Sequence, residues 1–418
     1  MLHVVAAWLR KLDRSEAPSV LPILLHGAAD ELDQVQESSV ALMEEVGQAL
    51  AGDEEDTDEA PKQGYAPLSL YPRAFKARPC RGARQLVVDC LDCVARQLMS
   101  ELGDWSATTR IKAGATMLNV LVYAEDKIAQ LAEPLLAAFS KAYMDDEELV
   151  CQATEKCIRL SGAFISAEVF VSIIDSNMRS GSGSVASKKA WLAVLATLLE
   201  GSSRDYVVPL LPTVCDIVAD MELSLPETEE FQVHLLRVVL ASITTCGEGS
   251  NGVRRRLLMF LLRLQAMKHS CAAVADKASE GLETLAQACS LAGGEKELLS
   301  LEIEPVLQQI CSNAAEWRRD SHHLYIFDTL IRRGGEALGT HLALCVPVFA
   351  LAADHQRDAD VRSTLLLLLD DLVIPRARSR PTHALCCASL VPHRVLARPF
   401  CRISSSMLAH ASRDVCRR

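Results

Sequence analysis

The residues that could do chemistry are few, and none of them completes a site. Cys90-Leu91-Asp92-Cys93 has Cys-x-x-Cys spacing, which binds zinc or cycles as a dithiol when a second Cys or His pair stands at metal distance. No such pair follows, and both cysteines lie inside a helical apolar pattern, so core packing is expected. His322-His323 lacks the Glu and second His of a helical zinc motif. The Gly/Ser run Ser180–Ser184 has no Lys-Ser/Thr after its glycines and no strand before it, so it is a flexible connector rather than a phosphate loop. No Gly-x-Ser-x-Gly elbow occurs. The carboxylates sit on solvated helix faces, with no pair isolated in an apolar setting. The expectation is a protein that is not an enzyme, with no cofactor, metal or small-molecule substrate.

What remains points to contact with other proteins. Trp105 and Trp317 each fall at an expected turn between two helices, where an indole either anchors a partner or plugs the space between neighbouring helix pairs. Arg110 and Lys112 follow Trp105 closely. These four are the candidate partner-binding residues. Arg254-Arg255-Arg256 and Arg318-Arg319 are basic clusters at helix starts or on polar faces; a solvated surface explains them, and a binding ridge is the alternative.

The elements that must position these residues are helices. The chain has 418 residues, 50% hydrophobic but only 5% aromatic, and the apolar content is mostly Ala, Leu and Val, which suit helix-on-helix packing. A mean hydropathy of +0.14 fits an array in which each helix pair is buried against both neighbours. No apolar run reaches a membrane span. The N-terminus reads as an amphipathic helix through Val4, Val5, Trp8, Leu9 and Leu12, with its basic residues in the wrong order for a secretory signal. The 15 cysteines are scattered and read as reduced, buried residues of a cytosolic protein.

A 3.6-residue apolar period runs from Leu2 to Val373: Ile111, Ala115, Leu118 and Val122 share one face, as do Val150, Ala153, Cys157 and Leu160, and Val361, Leu365, Leu368 and Leu372. Breaks divide it into pairs: 18–30 with 33–49, 81–102 with 106–124, 127–143 with 146–161, 166–178 with 185–200, 204–221 with 226–245, 251–268 with 270–290, 295–312 with 316–333, and 336–354 with 358–373. About eight pairs near a 40-residue period is the pattern of two-helix HEAT and armadillo arrays. Pro22, Pro134, Pro209 with Pro212, Pro305 and Pro347 fall in first helices, which are expected to bend. Asp145–Glu148 is expected to form a capping box, Ser166 to cap a helix, and Pro226 to occupy a first turn. Asp358, Val361 and Arg362, with Asp104, Thr109 and Arg110 as a variant, suggest the Asp–Arg ladder of a HEAT array. The fold class is therefore all-α, an α-solenoid. The expected domains are repeats over 1–51, the first incomplete; an acidic disordered loop over 52–68; the solenoid over 69–373; and a tail over 374–418, disordered or aberrant.

Charge is uneven. The net charge is −11, yet residues 375–418 carry nine Arg against one Asp, or +8, leaving −19 for the body. So acidic a body is a poor nucleic-acid binder. The loop is read as a solvated insertion, with a docking strip for a basic partner as the alternative.

A set of local strings resembles one family. Leu-Pro-Ile-Leu-Leu at 21–25 and Met-Glu-Glu-Val-Gly at 43–47 precede the loop. After it come Tyr71-Pro72, Arg78-Pro79 with Gly82 and Arg84, Gly103-Asp104-Trp105 with Thr109-Arg110-Ile111-Lys112-Ala113, and Val122-Tyr123-Ala124-Glu125-Asp126. Leu160–Ser166 and Glu168-Val169-Phe170 complete the set. In order and spacing these resemble the HEAT-repeat dynein axonemal assembly factor family, the fifth of that named series. Tyr123 stands where that family is expected to carry His, and the tail does not resemble its ending. The partnerless first helix and the family's missing N-terminal repeats suggest a C-terminal portion. The resemblance implies a cytoplasmic scaffold of ciliated or flagellated cells. Its role would be preassembly of outer and inner dynein arms with dynein intermediate and heavy chains, chaperones and other assembly factors. A tubulin-binding HEAT array of the TOG type and a generic HEAT adaptor are the alternatives.

Overall fold

The apolar period dictates helices that must bury a stripe, and a helix with apolar residues all round must be buried on every side. A computed structural model of the chain describes residues 2–9, 11, 17–51, 64–179, 184–224, 229–266 and 271–373. Leu12, Pro226, most of the acidic loop, residues 180–183 and the basic tail lie outside the described residues. Within them every regular element is an α-helix or a 3-10 turn, and none is a strand. No helix among them is long and apolar enough to cross a membrane.

Backbone proximity divides the described chain into two units, one running to 261 and including 271–290, the other comprising 262–266 and 291–373. The first unit opens with α1 (Leu2–Leu9), α2 (Ala17–Gly27) and α3 (Asp33–Ala51). On α1 the buried residues are Val5, Ala6 and Leu9; Val4 and Trp8, expected on the apolar stripe, are exposed because they occupy the opposite face. Next come α4 (Arg81–Asp89) and α5 (Leu91–Glu101) opposite α6 (Ala107–Ala124). The expected helix 81–102 is broken at Cys90, which has φ −104° and ψ 0°; no proline is involved. A 3-10 segment (Glu125–Leu131) leads to α7 (Ala132–Ala142), paired with α8 (Glu148–Phe164). Then α9 (Ala167–Arg179) pairs with α10 (Val185–Gly201), and α11 (Arg204–Val207) and α12 (Leu211–Ser224) pair with α13 (Glu229–Cys246). Last in this unit, α14 (Arg254–Ala266) begins and α15 (Ala272–Ala288) follows.

The second helices form the middle of the unit. On α6 everything from Met117 to Ala124 is buried, and on α10 everything from Ala190 to Leu199. The single stripe read from the sequence is therefore too narrow here, because these helices are packed on both sides. Close approach is secured by small residues: a Cβ on Gly82 would lie 1.9 Å from the Gly47 carbonyl oxygen, and one on Gly162 would lie 2.2 Å from that of Leu198.

The second unit contains α16 (Gly294–Cys311) with α17 (His322–Arg333), then α18 (Gly335–Gly339) and α19 (Leu342–Ala350) with α20 (Ala359–Val373). Val361, Leu365, Leu368 and Leu372 are all buried on α20, the stripe expected of them. Pro305 and Pro347 lie inside α16 and α19, as Pro22 does inside α2. Pro134, Pro209 and Pro212 instead sit in first turns or 3-10 segments, where a missing N–H costs nothing. The prolines of the first helices thus divide equally between helix interiors and helix starts or 3-10 segments. The architecture is an all-α HEAT-type solenoid of paired helices.

Candidate functional site

Of the four residues singled out for partner binding, three lie in the first unit around one turn. Trp105 sits between α5 and α6 and is 93% exposed. Its backbone is nonetheless fixed. The Ser106 N–H donates to Asp104 Oδ1 at 2.7 Å, and Arg110 Nη1, one turn into α6, donates to the carbonyls of Asp104 (3.0 Å) and Trp105 (3.2 Å). The same guanidinium reaches the next turn along, between α7 and α8: Nη2 donates to Asp145 Oδ1 at 2.8 Å and Nε lies 2.7 Å from Oδ2. Asp145 in turn accepts the Glu147 N–H at 2.9 Å.

This corrects two expectations. The Asp145–Glu148 stretch does not form a capping box; the Asp145 carboxylate turns back on its own loop and pairs with Arg110, and no side chain caps α8. Arg110, one of the candidate partner-binding residues, is paired with Asp145, and its side chain is 17% exposed. The expected Asp104–Arg110 ladder takes another form: the Asp104 carboxylate accepts the Ser106 N–H, and Arg110 pairs instead with Asp145 of the next turn. At the other predicted position Asp358 Oδ1 accepts the Asp360 N–H at 2.8 Å and Arg362 turns to the Ala352 carbonyl, so no such rung forms. Lys112 is exposed. Met144 and Leu149 flank the neighbouring turn, 39% and 53% exposed.

Trp317, in the second unit, is 4% exposed. Its ring lies 5.5 Å from that of Phe327, itself 5.5 Å from Phe349. It is buried among aromatic rings, the position that the packing reading gives it. Arg357 donates to the carbonyls of Ala314 (2.8 Å) and Ala315 (2.5 Å) just before it, clipping one turn to another as Arg110 does.

The sequence-level candidates for chemistry are dispersed. Cys90 is buried and Cys93 exposed; burial pushes the Cys90 thiol up to about 11. Burial lowers the His323 imidazole below its usual value. Arg256 pairs with Asp216 at 2.5 Å and Arg319 with Asp360 at 3.3 Å, both solvent-exposed ion pairs on the surface. Ser166 Oγ receives the Val169 N–H at a long 3.4 Å. Among the described residues no group of three or more His, Cys, Asp and Glu could hold a metal.

One network escaped the sequence reading. Arg237 of α13 binds Glu155 of α8 (2.7 Å), Glu200 of α10 (3.1 Å) and the Tyr143 hydroxyl, and Arg159 pairs with both Glu155 (3.0 Å) and Glu200 (2.5 Å). Its members are up to 94 residues apart, and no local spacing announces them. Burial pushes the Glu200 carboxyl up, but hydrogen bonds from Arg237 and Arg159 outweigh it and leave it below its ordinary value. The hydrogen bond from Arg110 does the same for Asp145. Both depressed groups contribute stability that is fully present above the unfolded carboxylate pKa, about 4, and is lost as pH falls through the lower folded value. Acid unfolding followed by circular dichroism should show this loss below about pH 4, and Glu200→Gln should flatten the pH slope while lowering stability at neutral pH. An unchanged slope would mean that the network is electrostatically idle.

Residues 69–268 match the family model described as Dynein axonemal assembly factor 5, HEAT-repeat domain. The chain is 29% identical over 380 residues to Dynein axonemal assembly factor 5 of Homo sapiens, covering 89% of this chain and 43% of that protein. It is 26% identical over 376 residues to the protein of that name from Mus musculus, covering 89% and 43%. The chain therefore spans less than half the length of the curated relatives it matches. Among solved structures, importin beta aligns over 86% of this chain and 48% of its own at 11% identity and a TM-score of 0.34. Kap121p bound to Nup53p aligns over 94% and 46% at 11% identity and a TM-score of 0.30. Over 69–268, a stretch that takes in the Trp105 turn and the Arg110–Asp145 contact, and more weakly over 89% of the sequence, this chain is similar to dynein axonemal assembly factor 5 and its HEAT-repeat domain.

Proposed function

We propose that the chain is a non-catalytic scaffold for preassembly of axonemal outer and inner dynein arms in the cytoplasm of ciliated or flagellated cells. Its partners in this reading are dynein intermediate and heavy chains, chaperones and other assembly factors. The observation that carries the reading is the family match over 69–268, a segment whose most exposed large hydrophobic residue, Trp105, stands on a fixed turn. An array of paired helices presents a long surface on which several partners are held at once by modest contacts, and assembly requires release as well as capture. The domain division at 51, 68 and 373 is part of the same proposal.

Tubulin binding is the second reading, favoured by an exposed Trp on an intra-repeat turn. Against it, Arg110 is spent on Asp145, and the turns carry more carboxylates than cations, which repels an acidic partner. The test is affinity capture from cytoplasm of ciliated cells with this chain as bait, read by mass spectrometry. Dynein intermediate or heavy chains together with chaperones are expected. Tubulin without any dynein subunit, or no dynein subunit at all, would overturn the assembly reading.

A further inference from the structure

The Trp105 turn and the turn between α7 and α8 form one surface, because Arg110 holds the backbone of the first and the carboxylate of the second. The exposed apolar side chains are the Trp105 indole on the first turn and Met144 and Leu149 on the second. The two turns carry Glu101, Asp104, Asp146, Glu147 and Glu148, half-exposed or exposed, while the exposed cations, Arg81, Arg96, Lys112, Lys127, Lys141 and Lys156, lie on the helices and the 3-10 segment. Residues 101–149 carry nine Asp and Glu against four Lys and Arg; Arg110 and Asp145 neutralise each other and Glu125 is paired with Arg78 and Arg84, which still leaves carboxylates in excess.

An indole held this far out of the core attracts two things: apolar surface, and a cation over its negative face. The surrounding carboxylates add a field that favours cations and repels anions. The turn is fixed before binding, so little order has to be created when a partner arrives.

We propose that this ridge docks a basic protein segment, with an Arg or Lys side chain stacked on the Trp105 indole and neighbouring cations paired with Asp146 and Glu148. This deepens the scaffold reading and rests on it, since it names the chemistry of one partner of that scaffold. The docking is electrostatically steered and weakens with salt.

The test uses the whole chain and a fluorescent 12-residue peptide in which Arg alternates with Leu and Ala, read by anisotropy at low and physiological salt. A peptide of the same order with Glu for Arg is the probe of opposite sign. Wild type should bind the Arg peptide, and Trp105→Ala and Asp146→Lys should each weaken it at least about tenfold, the scale of a hot-spot truncation. Asp276→Lys, the same charge change at an exposed position on α15, should change binding less than about twofold, the scale of a surface charge far from the contact. Trp105→Phe should recover part of the loss, since an aromatic face remains. Circular dichroism should be unchanged for Trp105→Ala, because a side chain 93% exposed supports no core. Equal weakening by Asp276→Lys would mean general attraction to an acidic body, and equal binding of the Glu peptide would mean no charge selection; either overturns the proposal. Neither outcome touches the capture of dynein subunits, whose failure would instead overturn the scaffold reading and leave peptide binding at the ridge as measured.

Discussion

Replacing Glu125 by alanine is expected to destabilise the first unit by about 3–5 kcal/mol, the usual cost of removing one partner from a buried charge pair. The Glu125 side chain is only 5% exposed, and both oxygens are engaged. Oε1 accepts from Arg78 Nε at 2.6 Å, and Oε2 accepts from Arg78 Nη2 at 2.6 Å and from Arg84 Nη1 at 3.0 Å. The two-pronged contact with Arg78 is the strong form of such a pair. The Arg78 guanidinium also lies over the Tyr65 ring, 4.8 Å from its centroid, so the carboxylate ties the chain from Tyr65 to Arg84 onto the end of α6. Phe75 joins the same junction, its ring 5.4 Å from that of buried Tyr123. Glu125 has φ +46°, a region unfavourable for a side-chain-bearing residue by about 1–3 kcal/mol, and its three hydrogen bonds offset that strain. Hydrogen exchange in α4 and α6 should accelerate by about two orders of magnitude, the rate equivalent of the lower figure, with α17 and α20 unchanged. Glu125→Gly separates the two contributions, because glycine relieves the backbone while removing the same carboxylate. It should still lose most of the stability. If it matched wild type, backbone strain rather than the ion pair would govern this junction.

That junction also shows where sequence reading stops. Helix pairing was legible because a 3.6-residue period is local, and α20 buried the four residues expected of it. The Glu125 fork was not, since its partners lie 41 and 47 residues away, Arg84 on another helix and Arg78 just before it. Yet Arg78, Arg84 and Glu125 all belong to the strings that carry the family resemblance, which marked them without saying why. The Cys90 break was invisible because both flanking pieces keep a helical pattern. Of the candidate contact residues, Trp105 and Trp317 looked alike in sequence, each at a turn. Only tertiary packing distinguishes them: Phe327 packs against Trp317, and Phe349 against Phe327, while Trp105 is left 93% exposed. Arg110 followed the ladder pattern, but whether its charge is spent depends on Asp145, which the sequence assigned to a cap.

Gly201→Ala should open the packing between α8 and α10 and cost about 3 kcal/mol, near the upper end for overpacking. A Cβ at 201 would lie 1.7 Å from the Arg159 carbonyl oxygen and 2.7 Å from its carbon. Backbone cannot rotate away as a side-chain end can, so one helix must move. At the same crossing Gly162 faces the Leu198 carbonyl, and Ser202 Oγ lies 2.9 Å from the Gly162 oxygen and 2.7 Å from that of Leu198. Separation would also stretch the Arg159–Glu200 pair, 2.5 Å long, and through Glu200 the contact with Arg237. The loss therefore spreads from one crossing into three helices. Gly162→Ala should do similar damage, and the double variant should cost much less than the sum, because both methyl groups force the same displacement. Denaturant unfolding read by the fluorescence of Trp191, buried on α10, would measure each cost. Additive losses would mean that the two glycines act at separable contacts, and a loss under about 1 kcal/mol for Gly201→Ala would fall below the overpacking range and mean that α8 and α10 yield without strain.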